Sequence, residues 1–222
     1  MVKNPTTVNP TVVDAASIFD ACEVIAERVG RAKVTLDYTK LRDRLDRIRV
    51  AAGWRPATLN TVILSVDPSS EGQQRFQTML EHAGYEPDVL HYRDSFVSVP
   101  PGRSPNEMGG KPIVSLAPRI AYVAGLLARH LDPHFLVVSH SFELYGPLTD
   151  LARRLTAGKV GIAYFGSLLD YRWKATGLLE SVGAGKELQF FDLDPQGREL
   201  LGVDLAGAHA RQGDARSALS RF

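Results

Sequence analysis

Residues 134–151 read HFLVVSHSFELYGPLTDL, and this stretch predicts how the chain folds. The four consecutive apolar residues 135–138 are typical of a strand buried on both faces of a parallel sheet. After Gly146 and Pro147, apolar residues recur at helical spacing, and proline suits a first helical turn, where a missing N–H costs nothing. The polar side chains between the strand and the helix should lie where open α/β sheets bind their ligands. These candidate site residues are Ser139, His140, Ser141 and Glu143.

Strand-like and helix-like segments alternate along the rest of the chain. Further strands are predicted at 11–13, 58–66, 86–92, 159–165 and 187–193. A strand, a helix and a strand in this order form a βαβ unit, whose crossover is right-handed. We therefore predict an α/β fold, a single Rossmann-like, three-layer domain with a mainly parallel sheet. Val137 and Val138 should lie in a central strand beside Val12 and Val13.

One predicted helix carries many charges around its apolar stripe. Leu41, Leu45 and Ile48 follow the spacing i, i+4, i+7 of a buried helix face. The charged residues around them, Arg49 included, predict an outer face in contact with water, although arginines can also bind phosphate.

The predicted domain covers residues 11–194. Residues 1–10 are polar, include two prolines and are expected to form a flexible N-terminus. Residues 195–222 lose hydrophobic periodicity and are expected to form a tail that can bind a partner. Residues 93–112 form the longest irregular stretch, and a loop of this length is usually functional or disordered. We expect it to be a lid or a partner-binding loop.

Composition limits the classes of function. The chain has 222 residues, of which 44% are apolar, and a formal net charge of +1. Its size supports one sizeable core, and its charge argues against a strongly basic nucleic-acid binder. Cys22 is the only cysteine, so an internal disulfide is excluded, and its place on an apolar helix face predicts a buried, inert thiol. No signal peptide and no apolar run of about 20 residues occurs, so we expect a cytoplasmic protein without a membrane partner.

Asp14 lies at a predicted strand-to-helix junction. At the carboxyl edge of a sheet, its carboxylate can hold a metal ion or a substrate hydroxyl. Asp is also a common N-cap residue of helices. The local sequence favours neither interpretation over the other.

Five short motifs occur in a recognisable order. They are VDAASIF at 13–19, LDYTKL at 36–41, RFQTMLEHAGYE at 75–86, Lys111, and VVSHSFELYGPL at 137–148. In this order the chain resembles the NYN domains, a group with the PIN-like nuclease fold that includes bacterial LabA-like proteins. The resemblance covers residues 11–194 and implies a PIN-like fold.

The resemblance implies a protein of RNA metabolism, related to metal-dependent ribonucleases, that binds RNA at the carboxyl edge of its sheet. Such nucleases use several carboxylates to hold Mg²⁺ or Mn²⁺ and to activate water. Here only Asp14 and Glu143 fall at matching acidic positions, and they are the expected catalytic and metal-binding residues. The substrate-binding residues that the resemblance implies are Ser17, Lys111, Ser139, His140 and Ser141.

Some positions that are acidic in the NYN domains are not acidic in this chain, which predicts weaker catalysis. The acidic position after Lys111 falls on Val114 or Ser115, so metal binding is expected to be weak and catalysis weakened or lost. If the protein is an active nuclease, further acids must contribute, and the first candidates are Asp20, Glu23 and Asp67.

Other functions remain as alternatives. The chain can be a non-enzymatic interaction or oligomerisation module that binds a protein partner or a second copy through residues 93–112 or the tail. A small-molecule or nucleotide binder is a third hypothesis. A serine hydrolase is disfavoured because the adjacent residues Ser139, His140 and Ser141 rarely face one another and no G-x-S-x-G elbow occurs. A metal pair at His130 and His134 is disfavoured because a proline separates them.

Overall fold

The computed structural model describes residues 8–66, 70–91, 115–127, 132–168 and 188–205. Its strands are β1 (Pro10–Asp14), β2 (Leu59–Val66), β3 (Glu86–His91), β4 (His134–Val138), β5 (Lys159–Tyr164) and β6 (Leu188–Asp192). Its helices are α1 (Ala15–Val29), α2 (Tyr38–Ala51), α3 (Glu71–His82), α4 (Ala117–Leu127), α5 (Tyr145–Arg154) and α6 (Gly197–Leu201). Short 3-10 turns lie at Phe142–Leu144, Gly166–Leu168 and Asp194–Gln196.

The six strands form one parallel sheet in the order β3-β2-β1-β4-β5-β6. Val12 pairs with Val137 and Val13 with Val138, so the predicted central strands are confirmed as neighbours. Chain order reverses between β1 and β4, because β2 and β3 extend the sheet on one side and β5 and β6 on the other. A crevice outside the carboxyl ends of such a strand pair is the usual ligand site of a doubly wound sheet.

Helices cover both faces of the sheet, which confirms the predicted three-layer α/β domain. Apolar side chains of α1, α2, α3 and α6 pack on one face, together with inward residues such as Val13 and Val138. Those of α4 and α5 pack on the other face against Val12 and Val137. The central strands are therefore buried on both sides, which explains why β4 reads as an unbroken apolar run.

Helix α1 has clear start and stop signals in the sequence. The Asp14 side chain accepts a hydrogen bond from the Ser17 backbone N–H and caps the first turn. Gly30 ends the helix with φ of 67°, a left-handed conformation that glycine adopts without a steric penalty. Cys22 is buried on the inner face of this helix, as predicted, and burial raises the pKa of its thiol to about 11.

The folded core extends beyond the predicted domain end at residue 194. Helix α6 packs Leu200 and Leu201 into the core, and Val203 and Leu205 follow them. The Leu200 carbonyl also accepts a hydrogen bond of 2.9 Å from the Asp37 backbone N–H. Residues 195–205, which the sequence assigned to a tail, thus contribute to the core, because α6 has five residues and is too short to show helical periodicity.

Several predictions fall on residues that the structure does not describe. Lys111, the 93–112 loop, Asp67, residues 1–7 and residues 206–222 lie outside the described ranges. In the part of the chain that the structure describes, no helix combines the length and the apolar character needed to cross a membrane.

Arg49 closes the amino end of the β1–β4 pair. It lies in the last turn of α2 and is 0% exposed, so the prediction that it contacts water is wrong. Its guanidinium donates to the carbonyls of Pro10 at 3.2 Å, Arg55 at 3.1 Å and His134 at 2.5 Å. It also donates to Thr11 Oγ1 at 3.0 Å.

These acceptors explain how a charge is tolerated in the core. Burial lowers the pKa of Arg49 to about 10, which leaves the guanidinium protonated at neutral pH. The Trp54 ring lies 5.6 Å from the guanidinium carbon and adds a cation–π contact. Arg49 therefore joins the first residues of β1 and β4 from inside the protein.

Candidate functional site

Asp14 is the last residue of β1 and lies at the switch point of the sheet. It is 2% exposed. One carboxylate oxygen, Oδ1, accepts the capping hydrogen bond from the Ser17 N–H at 3.2 Å, and the other, Oδ2, accepts from Ser139 Oγ at 2.7 Å. The N-cap interpretation is confirmed, and the same carboxylate also joins β1 to the residue that follows β4.

Serine hydroxyls and backbone amides surround this contact. Ser17 Oγ lies 3.3 Å from Ser139 Oγ and 3.3 Å from the Asp14 carbonyl oxygen. The backbone N–H of His140 donates to Ser17 Oγ at 3.3 Å, and that of Ser141 donates to Ser139 Oγ at 3.1 Å. The structure thus brings together five of the site residues predicted from the sequence.

His140 supports the loop and is a poor acid or base. Its Nε2 atom accepts a hydrogen bond of 3.0 Å from the Phe165 backbone N–H, and its ring stacks on the Phe165 ring with centroids 5.9 Å apart. Burial lowers the pKa of His140 to about 4, so the ring is neutral at physiological pH. Because an amide already uses Nε2, this nitrogen does not activate Ser139 or Ser141.

A cavity of about 460 Å³ opens in front of Asp14. Helix α1 forms one wall with Ala16 and five residues that follow the spacing i, i+3, i+4, i+7, i+11 of one helix face. They are Ser17, Asp20, Ala21, Val24 and Arg28. The rest of the lining consists of residues 140–143, which follow β4, residues 115 and 116, which precede α4, and Leu168, which follows β5.

Glu143 reaches this cavity from the loop between β4 and α5. It is exposed and accepts a hydrogen bond of 2.5 Å from Ser115 Oγ. Asp14 and Glu143 therefore line the same cavity from different elements. Ser115 stands at one of the two positions where the resemblance implies an acid, and its hydroxyl donates to the acid that remains.

The cavity contains more negative than positive groups. Its acidic lining residues are Asp14, Asp20 and Glu143, and among the described residues its only basic lining residue is Arg28. Arg28 Nη1 donates to the Ser167 carbonyl at 2.7 Å. Phosphate approaching the acidic end would therefore be repelled unless a cation lies between.

Burial governs the protonation of the two acids on the α1 side. Burial raises the pKa of the Asp14 carboxyl, the hydrogen bonds from Ser139 and Ser17 oppose this rise, and the charge of Asp20 adds to it. Partial burial also raises the pKa of Asp20, with a further contribution from the negative charge of Glu23.

The donor set suits a hard cation poorly, although carboxylates and hydroxyls are the oxygen ligands that Mg²⁺ and Mn²⁺ prefer. Both Asp14 oxygens already accept hydrogen bonds, and a metal ion would have to displace the Ser139 hydroxyl or share its lone pair. Among the described residues, no group of three or more His, Cys, Asp or Glu side chains is arranged to hold a metal ion.

The structure also shows where the additional candidate acids lie relative to the cavity. Of the three further acids, Asp20 lines the cavity, Glu23 is exposed outside its lining, and Asp67 is not described. Sequence reasoning missed Phe142 and Arg28 as cavity residues. The helical spacing of Arg28 from Ser17, a predicted site residue, was a usable signal, whereas no such spacing applies to Phe142, which lies in a 3-10 turn.

Comparisons with protein-family models, curated proteins and solved structures return no match for this chain.

Proposed function

We propose that the protein is an NYN-type protein of RNA metabolism that binds RNA in the cavity in front of Asp14 and has weakened or lost hydrolytic activity. The observation that supports this most is the Asp14–Ser139 hydrogen bond of 2.7 Å at the switch point of the sheet, directly beside a cavity of about 460 Å³. That position is where doubly wound sheets bind nucleotides and related ligands.

The lining of the cavity suits parts of a nucleotide. Ser141 offers a hydroxyl group for polar atoms of a nucleotide, and Phe142 offers aromatic surface for a base. Single-stranded RNA is commonly bound by this combination of stacking and polar contacts. Lys111, which the resemblance places among the substrate-binding residues, would add a positive charge.

Weak hydrolysis follows from how Asp14 is held. In a metal-dependent nuclease, the cation neutralises the phosphate and activates the attacking water. Asp14 and Glu143 would hold that cation here, and two carboxylates leave most of the roughly six positions around Mg²⁺ to water. The hydrogen bond from the Ser139 hydroxyl further reduces the capacity of Asp14 to bind the cation. With so few ligands from the protein, the attacking water and the phosphate would be placed poorly, and an error of about 1 Å can cost on the order of a hundredfold in rate.

A non-enzymatic interaction module is the second candidate, and one observation favours it. Phe19 on α1 is 50% exposed and packs on Phe76 of α3 with ring centroids 5.1 Å apart. An exposed aromatic ring held by a half-buried one, as Phe19 is by Phe76, can anchor a protein partner or a second copy of the chain.

Binding of labelled single-stranded RNA separates the two candidates. Fluorescence anisotropy should show binding at low salt that weakens as salt is added, because phosphate contacts release counterions. No binding at low salt, together with dimerisation in sedimentation experiments, would favour the interaction module. Gel assays with Mg²⁺ and Mn²⁺ should show slow or absent cleavage, faster with Mn²⁺.

A double variant and a control variant test whether Asp14 and Glu143 contribute to any cleavage. Asp14→Asn combined with Glu143→Gln should remove any residual cleavage, whereas Glu71→Gln, an exposed acid on α3, should leave it unchanged. Efficient cleavage by the wild type at micromolar metal, lost in the double variant, would show that the site is an intact nuclease and would contradict weakened catalysis.

A further inference from the structure

The polar groups of the cavity that remain available to a ligand are mainly hydrogen-bond acceptors. Asp20 has no hydrogen-bond or ion-pair partner among the described residues, and Glu143 uses Oε2 to accept from Ser115. Ionised carboxylates accept hydrogen bonds and donate none. The ligand group at this end of the cavity must therefore supply N–H or O–H donors.

Phosphate does not meet that requirement, and its charge is unfavourable beside these acids. The one basic lining residue that the structure describes, Arg28, is eight residues beyond Asp20 on α1. At about 1.5 Å per residue, the two lie about 12 Å apart along the helix axis. A nucleotide in the acidic end would thus place its base against Asp20 and Glu143 and its backbone away from them.

Apolar surface in the cavity supports the same placement. Phe142 lines one wall, and Val24, on the α1 wall, is 38% exposed. Aromatic and aliphatic surfaces of this kind contact the flat faces of bases. A base in this position would have its faces on apolar side chains and its edge toward the carboxylates.

The four bases differ in what they present to a carboxylate. Guanine has two adjacent donors, N1–H and the N2 amino group, which one carboxylate can accept together. Adenine and cytosine have a single amino group beside an acceptor nitrogen. Uracil has one N–H between two carbonyl oxygens, which a carboxylate repels.

The geometry points to base selection in this cavity, with guanine preferred over uracil through Asp20 and Glu143. This inference rests on the proposed RNA binding and adds the chemical class of the nucleotide. Asp20 and Glu143 are thereby specificity-determining residues, separate from the buried pair formed by Asp14 and Ser139.

The test uses a labelled uridine oligonucleotide of about ten nucleotides, a length within the site sizes of single-strand binders. In matched probes, its central uridine is replaced by guanosine or by inosine, which keeps N1–H and lacks the N2 amino group. Anisotropy titrations at low salt should give tighter binding of the guanosine probe than of the uridine probe by about fivefold or more. The inosine probe should lie between them.

Asp20→Asn and Glu143→Gln should each reduce this preference toward equal binding, because the guanosine probe loses affinity relative to the uridine probe. Glu27→Gln on the same helix, outside the cavity lining, is the matched control and should keep the preference. Thermal melts check that the variants are folded, which is expected because both side chains are exposed.

The outcomes separate the two proposals. If no probe binds, the proposed RNA binding itself fails. If all probes bind equally, or if the two variants raise the affinity for every probe by the same factor, RNA binding stands and base selection is overturned.

Discussion

The two ends of the β1–β4 strand pair each carry one buried charged residue, and these residues have different surroundings. At the amino end, Arg49 is 0% exposed and donates to three backbone carbonyls and one hydroxyl. At the carboxyl end, Asp14 is 2% exposed, accepts from Ser17 and Ser139, and borders the cavity.

This difference in surroundings suggests different roles, stability for Arg49 and a candidate function for Asp14. All three nitrogens of the Arg49 guanidinium donate to protein acceptors, so its effect should be on stability alone. Asp14 also ties the two strands together, but a ligand in the adjacent cavity can reach the network around it. The contrast predicts that changes at the amino end affect folding and changes at the carboxyl end affect binding as well.

The largest expected effect is on stability, from Arg49→Met. Removing the guanidinium leaves the carbonyls of Pro10 and His134 without their buried donor, at a cost of about 3 kcal/mol in the free energy of unfolding. Urea denaturation measures this cost. RNA affinity per folded molecule should not change.

Arg47→Met is the control on the same helix. Arg47 is exposed and pairs with Glu199 at 2.8 Å, and an exposed ion pair contributes about 1 kcal/mol or less. An Arg49→Met variant as stable as Arg47→Met would show that the buried hydrogen bonds contribute little.

A smaller loss of stability is expected from Ser139→Ala at the other end of the strand pair. This change removes the donor to Asp14 Oδ2 and should cost about 1–3 kcal/mol. Ser141→Ala keeps the backbone N–H that donates to Ser139 and should cost less. Equal losses in the two variants would mean that the Ser139 hydroxyl does not stabilise the carboxylate.

The β4 run predicted the parallel sheet correctly, and the polar residues after it lie at the carboxyl edge of that sheet, as expected. An apolar run bounded by polar residues is a local pattern, and the carboxyl ends of parallel strands meet at one edge. Five candidate site residues at this edge could therefore be predicted from the sequence. They are Asp14, Ser17, Ser139, His140 and Ser141.

The burial of Arg49 could not be predicted in this way. Its acceptors come from Pro10, Arg55 and His134, and only the folded chain brings these together around a residue that locally looks like part of a charged helix surface. The extent of the cavity along α1, as far as Arg28, was missed for a similar reason, because it depends on how the helix packs against the sheet.

The pH dependence of stability gives a further test of Asp14. Burial raises the folded-state pKa of Asp14 above its ordinary value of 3.8. The resulting stabilisation is complete below the unfolded pKa and is lost as pH rises through the folded pKa. Relative to Asp14→Asn, the wild type should therefore lose stability as pH increases from about 4 toward neutrality. A relative gain over that range would show that hydrogen bonds outweigh burial and lower the pKa.

The smallest expected effect concerns His140. With a pKa of about 4, its ring should stay neutral and its NMR ring-carbon shift should stay constant between about pH 6 and 8, where an ordinary histidine titrates. An inflection in that range would show that the loop opens and exposes the ring.

The proposed RNA binding would involve the carboxyl end of the β1–β4 pair and leave the amino end untouched. A ¹H–¹⁵N NMR titration with single-stranded RNA at low salt reports on both ends at once. The amides of Ser17, Ser141 and Glu143 should shift, whereas the indole N–H of Trp54, which donates to Gln189 Oε1 at 3.0 Å beside Arg49, should not. Shifts that cluster around Trp54 while the cavity amides stay in place would contradict RNA binding in the cavity in front of Asp14.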